Sequence, residues 1–162
     1  MPALLKPAPA GLLTLLWALK NDAKDKPGFG DVVHMLGSGR TSLVVDPAFE
    51  KAFYKLAGYR NLGRRAVRVD ILERLADLIR PALAWKENEG KRPEGGYGGG
   101  ACVVTRAMMS ILGATAEDME EILKGLGYRG EPKPAAEVAA RIESLDAAQR
   151  AAPADEKDAG KP

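Results

Sequence analysis

The sequence predicts a helix-rich α+β fold, a small unit of three to five helices with short strands between them. Hydrophobic residues make up 46% of the 162 residues but aromatic residues only 6%, which favours a core of aliphatic side chains on helices. Several segments repeat apolar residues at helical spacing behind an Asp or Thr that can cap a helix. Three of these caps directly follow a short apolar stretch typical of a strand, at Val45-Asp46, Val69-Asp70 and Val104-Thr105.

The composition also excludes several classes of protein. The net charge is +2, from 24 Lys and Arg against 22 Asp and Glu, far from the charge of a histone-like nucleic-acid binder. One Cys and one His exclude an internal disulfide and a zinc site built only from these two residue types. The longest apolar segment, 12–19, is much shorter than the roughly 20 residues that span a bilayer. We therefore expect a cytoplasmic protein with no membrane partner and no cofactor.

Composition divides the chain into three segments. Residues 1–40 are expected to form an N-terminal helix and a linker, and 41–130 a compact domain. Inside that domain, 87–100 is rich in charge and then in glycine, which predicts a flexible loop. Residues 131–162 are Ala-rich with scattered charges and prolines, which predicts a largely disordered tail in which 135–150 forms at most a marginal helix.

The N-terminal segment is predicted to contain one helix and part of a hairpin. The helix spans 8–21, and its apolar face consists of Leu12, Leu13, Leu16, Trp17 and Leu19. The apolar segments 31–36 and 41–45 then flank the residues Gly37-Ser38-Gly39-Arg40. This pattern predicts a β-hairpin with a loop of four residues.

The compact domain is predicted to alternate capped helices with short strands. The dipeptide Asp46-Pro47 is typical of a helix start, and Gly58 is placed to end that helix. The apolar stripe between them is Phe49, Ala52, Phe53 and Leu56. A strand at 66–69 and a helix capped by Asp70 follow, and Pro81 is expected to end or kink this helix.

A helix-turn-helix-like segment is predicted at 105–126. Thr105 and Thr115 are each placed to cap a helix, and Gly113 separates the two. In a DNA-binding motif of this kind the second helix enters the major groove. Here that helix has a charge of −3, from Glu117, Asp118, Glu120, Glu121 and Lys124. Because phosphates would repel it, we interpret the segment as a packing unit or a protein-facing surface.

No catalytic constellation is visible, and we predict that the chain alone is not an enzyme. The segment 37–42 is not a phosphate-binding loop, since His34 and Arg40 stand where that motif needs Gly and Lys. Cys102 lies in a predicted strand, 101–104, where a buried, unreactive thiol is expected. A Cys102–His34 dyad stays open as the alternative, although no neighbour in the sequence would activate the thiol.

One segment carries an unusual local charge. Residues 51–68 contain six cations and no acid, a local charge of +6, with two tyrosines among them. Cations can contact phosphates and a tyrosine can stack on a base, so this segment is a candidate nucleic-acid-binding site. Its predicted contact residues are Lys51, Lys55, Tyr59, Arg60, Arg64, Arg65 and Arg68. Arg64 and Arg65 are expected in a loop, free to reach a phosphate backbone. The alternative is a solvated basic face flanked by Glu50 and Asp70.

Two stretches together resemble a known family: DPAFEKAFYKLAGYRNLGRRAVRVDILERLADLIRPALAWK at 46–86 and ACVVTRAMMSILGATAEDMEEILKGLGYR at 101–129. They are similar to the C-terminal region of bacterial superfamily II ATP-dependent helicases related to the mitochondrial RNA-degradosome helicase. The stretch LLKPAPAGLLTLLWALK at 4–20 is similar to the segment before that region. The family's phosphate-binding loop, acidic motif and arginine fingers have no counterpart in this sequence, so ATP hydrolysis is not carried over to any residue.

The resemblance implies a helicase accessory region with RNA or DNA as its substrate class. Two functions are therefore predicted. The first is a non-catalytic accessory domain that contacts single-stranded or structured nucleic acid through 51–68. The alternative is a protein-interaction module that docks on a helicase core or another partner through its apolar and acidic helices. Steep salt dependence of oligonucleotide binding would favour the first, and salt-independent retention of a protein partner would favour the second.

Overall fold

The computed structural model describes residues 6–87 and 89–151, and it confirms a helix-rich α+β fold. The helices are α1 (Pro7–Lys20), α2 (Asp31–Gly37), α3 (Lys51–Leu56), α4 (Val69–Ala84), α5 (Arg106–Leu112), α6 (Ala116–Gly125) and α7 (Ala135–Ala151). The strands are β1 (Ser42–Val44), β2 (Tyr59–Leu62), β3 (Arg65–Arg68), β4 (Gly96–Gly98) and β5 (Ala101–Cys102). Within the described ranges, no helix is long and apolar enough to cross a membrane.

Two compact units contain these elements. The first unit holds the described part of Met1–Leu78 together with Val104–Gly130. The second unit holds the described part of Ile79–Val103 together with that of Glu131–Pro162. The segment with the local charge of +6 and the acidic helix α6 therefore belong to the same unit, although many residues separate them in the sequence.

The first unit is built around a three-stranded antiparallel sheet in the order β1-β3-β2. Leu43 of β1 lies opposite Ala66 of β3. Because side chains alternate across a strand, Leu43, Tyr59 and Ala66 share one face, where they join a core with α1, α2 and α3. On the other face, the Ser42 hydroxyl donates a hydrogen bond to the Leu112 carbonyl of α5 (2.8 Å). The sheet thus lies between two layers of helices.

Phe53 of α3 is at the centre of the core on the first face of the sheet. Its side chain is fully buried, and the rings of Trp17 and Phe29 contact it edge-on, at centroid distances of 5.8 and 6.0 Å. Truncation of a buried aromatic ring typically costs about 3–5 kcal/mol. The packing of α1 and α3 against each other therefore depends on this ring.

The predicted β-hairpin of 31–36 and 41–45 is wrong. Asp31–Gly37 forms α2, and β1 pairs with β3 instead. Gly30 adopts the left-handed conformation before α2, with a φ of 84°, which glycine does at little cost. The turn directs Val32 into the core, where it is fully buried. A short apolar run fits a strand or a buried helix equally well in the sequence, and packing against α1 favours the helix here.

The predicted start of the next helix is also wrong, while its end is confirmed. Asp46 does not cap a helix. Its carboxylate accepts a hydrogen bond from the backbone N–H of Ala48 (2.8 Å) in a turn, and α3 begins only at Lys51. Phe49 lies before α3, and its ring stacks on that of Tyr54 at a centroid distance of 6.3 Å. Phe49 therefore packs against α3 without being part of that helix. The chain then leaves α3 through a left-handed glycine, as expected.

The later elements follow the sequence prediction in part. β3 leads directly into α4, but α4 begins at Val69, so Asp70 lies within its first turn and binds Arg68 instead of capping the helix. The helix also continues past Pro81 and does not end there. Thr105 and Thr115 both cap their helices, accepting hydrogen bonds from the backbone N–H groups of Met108 and Asp118. The two helices of the predicted helix-turn-helix-like segment are therefore present as α5 and α6.

The second unit is more ordered than the sequence predicts. Inside the predicted loop 87–100, β4 forms and pairs antiparallel with β5, which occupies the start of the predicted strand 101–104. Inside the predicted disordered tail, Ala135–Ala151 forms α7, and the prediction for 152–162 lies outside the described residues. Arg92 donates to the Asp146 carboxylate of α7 through Nε (2.7 Å) and Nη2 (2.9 Å). This contact supports a helix that would be weak in isolation, which is why composition alone predicts at most a marginal helix here.

Candidate functional site

The basic segment, defined as residues 51–68, begins with exposed cations. Lys51 and Lys55 lie one helical turn apart on α3, and both are exposed. Arg60 of β2 is exposed as well. Within the described part of the chain, no carboxylate pairs with any of these three side chains. They are available to contact a ligand.

Arg64 lies in the turn between β2 and β3, where carboxylates of α6 surround it. Its Nε is 3.0 Å from Glu121, and its Nη2 is 3.7 Å from Asp118 and 3.9 Å from Glu117. The backbone N–H of Arg64 also donates to the Glu121 carboxylate (3.0 Å). Gly63 precedes it with a φ of 65°, and a side chain at Gly63 would collide with Glu121. Arg64 is exposed, but it is not free of partners as expected.

Arg65 and Arg68 are held within the fold. Arg65 is the first residue of β3, so its expected position in a loop is wrong. Its Nη1 is 3.4 Å from Asp118, its Nη2 donates to the Ser42 hydroxyl (2.7 Å), and only 18% of its side chain is exposed. Arg68 donates from Nε to Asp70 (3.0 Å). Both arginines therefore stabilise the sheet and its connections.

Tyr59 is buried, and its predicted role as a stacking platform is wrong. Only 3% of the residue is exposed, and its hydroxyl donates to the Arg40 carbonyl (2.8 Å). Burial raises the pKa of the phenol. A base can stack only on a ring whose face is open, so Tyr59 contributes to the core and not to binding.

The acidic helix α6 cancels much of the charge of the basic segment. Arg64 and Arg65 face three carboxylates, which leaves −1 at this end of the sheet. The pair of Arg68 with Asp70 is neutral. Three exposed cations are left. Lys51 and Lys55 lie one turn apart on α3, and we call these two residues the basic patch, while Arg60 lies on the opposite face of the sheet from α3. The sequence shows the charge of α6, but not that α6 packs beside Arg64.

A second surface lies on α1 and includes three leucines of the apolar face that the sequence predicts for this helix. Four of its leucines are exposed: Leu12 (59%), Leu15 (36%), Leu16 (56%) and Leu19 (59%). We call these four residues the leucine face. The other side of α1 presents small residues to the core, and Ala10, Thr14 and Ala18 are buried. A helix that is apolar on all sides has more apolar surface than one core can cover. The apolar residues on every side of α1 are therefore the feature of the sequence that indicates an exposed apolar face.

The other candidates for chemistry in the sequence are Cys102, His34 and groups of possible metal ligands. Cys102 belongs to the second unit and His34 to the first. Burial raises the pKa of the Cys102 thiol, which lowers the fraction of reactive thiolate. Among the residues that the structure describes, no three His, Cys, Asp or Glu side chains are grouped so that they could hold a metal ion.

Comparison with known proteins identifies no family. No protein-family model, curated protein or solved structure matches the chain. The resemblance to the C-terminal region of superfamily II helicases therefore stays a prediction from the sequence. The function has to be inferred from the two surfaces of the first unit, the leucine face and the basic patch.

Proposed function

We propose that the chain is a non-catalytic protein-interaction module and that the leucine face of α1 is its contact surface. The observation that carries this proposal is the exposure of four leucines on one side of a helix whose other side is buried. Single exposed leucines are common, but a contiguous apolar patch on a folded domain marks a contact surface. A helicase core is the partner class that the sequence resemblance implies.

Burial of the leucine face supplies the energy for such a contact. Full burial of a leucine side chain is worth about 1.5–3 kcal/mol, and each of these leucines, already partly covered, gains roughly half of that. Association itself costs at least about 4 kcal/mol. All four leucines are therefore needed, and the loss of two is expected to abolish stable binding.

The test compares a double variant with a matched control in the cells that make the protein. Leu12→Ser with Leu16→Ser removes half of the leucine face, and Val44→Ser removes an apolar side chain that is 67% exposed on β1. After chemical cross-linking, the proteins retained with each chain at high salt are quantified. We expect the wild type and the Val44→Ser control to retain the same partners and the double variant to lose them. Equal retention by all three chains would contradict the proposal.

The basic patch favours a second candidate function, contact with single-stranded or structured nucleic acid. Each phosphate contact to a single strand steepens the dependence of log affinity on log salt by roughly 0.7, so the two lysines give a slope of about 1.4. Lys51→Glu with Lys55→Glu is the clean test, because neither side chain is paired with a carboxylate among the residues that the structure describes. This second function predicts that the variant binds a labelled single-stranded RNA more weakly and with a flatter salt dependence than the wild type. An unchanged affinity and slope would exclude this function.

A further inference from the structure

The charges at the ends of α1 narrow the choice of partner for the leucine face. Lys6 at the N-cap and Lys20 in the last turn are both exposed, and the helix contains no acidic residue. With 3.6 residues per turn, both lysines project along the same flank of the leucine face. They lie about 21 Å apart along the helix axis. The contact surface is therefore an apolar strip with a positive charge near each end.

A second copy of this chain fits that surface poorly. If two α1 helices packed in antiparallel fashion, Lys6 of one copy would approach Lys20 of the other. If they packed in parallel, the lysines of the two copies would lie on opposite flanks of the seam and would gain no ion pair. The like charges of the antiparallel pair destabilise it, and in neither arrangement does α1 offer an acid to attract the lysines.

An anionic membrane also fits less well than a protein. Interfacial helices typically combine several cations with an exposed aromatic anchor, and recognition of anionic lipids uses clusters of about four to eight cations. On α1 the two lysines stand alone, and Trp17 packs edge-on against Phe53 in the core. Two lysines without an aromatic anchor would give weak lipid binding.

We infer that the leucine face binds an amphipathic helix of a partner protein that carries acidic residues at both ends of its apolar stripe. This inference rests on the proposed function. Only one side of α1 is open, since Ala10 and Ala18 are fully buried, so a groove cannot enclose the helix but another helix can lie along it. Leucines three, four and seven residues apart form the seam of such a helix pair.

The lysines set the specificity and orientation of this contact. Carboxylates roughly 14 residues apart on the partner helix would match the separation of Lys6 and Lys20. Exposed ion pairs contribute little each, and together two of them change an affinity by about five- to tenfold. The leucine seam supplies the larger share of the binding, and the charges select an acidic partner over a basic one.

The test uses the full chain and three synthetic helical peptides of about 18 residues. The first carries a leucine seam with Glu at both ends, the second has Lys in place of Glu, and the third has Ser in place of the leucines. Fluorescence anisotropy of the labelled peptides gives their affinities at low and at high salt. We expect the Glu peptide to bind about five- to tenfold more tightly than the Lys peptide at low salt, and this ratio to approach one at about 1 M salt, where the screening length is roughly 3 Å.

Two variants make the outcome specific to the inferred contact. Lys6→Glu with Lys20→Glu is expected to reverse the preference between the two leucine peptides, and Leu12→Ser with Leu16→Ser to abolish binding of both. Equal binding of the Glu and Lys peptides would overturn the acidic-partner inference and leave the proposed function standing. Self-association of the chain that the leucine variant abolishes, or no binding by any peptide, would also overturn the inference. Glu-peptide binding that survives loss of the leucines would overturn both.

Discussion

The basic segment and the leucine face differ in how many of their side chains find a partner within the first unit. In the basic segment, Arg64 and Arg65 find carboxylates of α6, and Arg68 finds Asp70. On α1, apolar side chains at helical spacing point to solvent, and small residues on the other side form the core contact. Three of the six cations of the basic segment are paired within the fold, whereas the four leucines of the leucine face stay exposed.

The contrast shows that the partner of a surface can lie far away in the sequence. Arg64 and Glu121 are 57 residues apart, so a local charge of +6 says nothing about the acids packed against it. The number of apolar residues in a helix is local information in the same sense, because it does not tell which side of the helix the core will cover. A contact surface is therefore better identified from the side chains that have no partner in the fold than from the residue types that are frequent in one stretch of the sequence.

The largest expected effect comes from breaking the contact that neutralises the basic segment. Arg65→Ala leaves Asp118, of whose side chain 14% is exposed, without this partner, and it removes a donor to Ser42. We expect the free energy of unfolding to fall by about 2–3 kcal/mol. Urea denaturation measures this change. The exposed control Arg60→Ala should stay within about 0.5 kcal/mol of the wild type, and equal stability of both variants would show that Arg65 is not structural.

Tyr59→Phe is expected to have the next largest effect. It removes the hydrogen bond from the hydroxyl to the Arg40 carbonyl, which is worth about 1 kcal/mol. The raised pKa of Tyr59 also means that the unfolded chain loses the phenolic proton more easily than the folded one. The stability that this group contributes is full below pH 10.0 and is lost as the pH rises above that value.

The pH dependence of unfolding separates the two contributions of Tyr59. The wild type should lose more stability than the Phe variant between neutral pH and the alkaline range, because only the wild type carries the ionisable phenol. Parallel pH profiles of the two proteins would show that Tyr59 is exposed and therefore open to a stacking ligand.

A smaller and more local effect is expected in the second unit. Asp146→Asn weakens the contact of α7 with Arg92, so amide hydrogens of β4 and β5 should exchange a few times faster. Arg92 holds the pKa of Asp146 below its ordinary value of 3.8. The stabilising contact is therefore present above pH 3.8 and is lost as the pH falls through the lower, folded-state pKa. The control is Glu143→Gln, an exposed position of α7, and the same exchange rates in both variants would show that the Arg92 contact does not hold the hairpin.

The smallest effect on stability is expected at the leucine face. Leu12→Ser with Leu16→Ser should change the free energy of unfolding by no more than about 0.5 kcal/mol, because both side chains are already more than half exposed. Leu43→Ala, at a position that is 3% exposed, should instead cost about 2–5 kcal/mol. A large loss in the double variant would mean that these leucines belong to the core.

The sequence predicts those parts of the fold that local chemistry determines. Thr105 and Thr115 cap helices because a hydroxyl at that position satisfies a backbone N–H three residues later, whatever packs nearby. The conformation of 31–36 could not be predicted in this way, because a short apolar run becomes a helix only when α1 covers it. The order of 135–151 depends on Arg92, which is distant in the sequence.

The candidate site could be predicted only in part. The exposure of Lys51 and Lys55 follows from their position off the apolar stripe of α3, and the sequence predicts it. Tyr59 could not be placed, because its burial depends on the pairing of β2 with β3 and on the Arg40 carbonyl. The helical spacing of the leucines can be recognised in the sequence. Their exposure cannot, because it follows from the packing of the small residues of α1 into the core.

The central claim, that the leucine face and not the basic segment is the principal contact surface, is tested most directly by photo-cross-linking from one position on each. A photoreactive amino acid replaces Leu16 in one chain and Lys55 in another, both at exposed positions. After irradiation in the cells that make the protein, adducts to protein and to nucleic acid are counted separately. We expect position 16 to give protein adducts and position 55 to give few adducts of either kind. Abundant nucleic-acid adducts from position 55, together with no protein adducts from position 16, would contradict the claim.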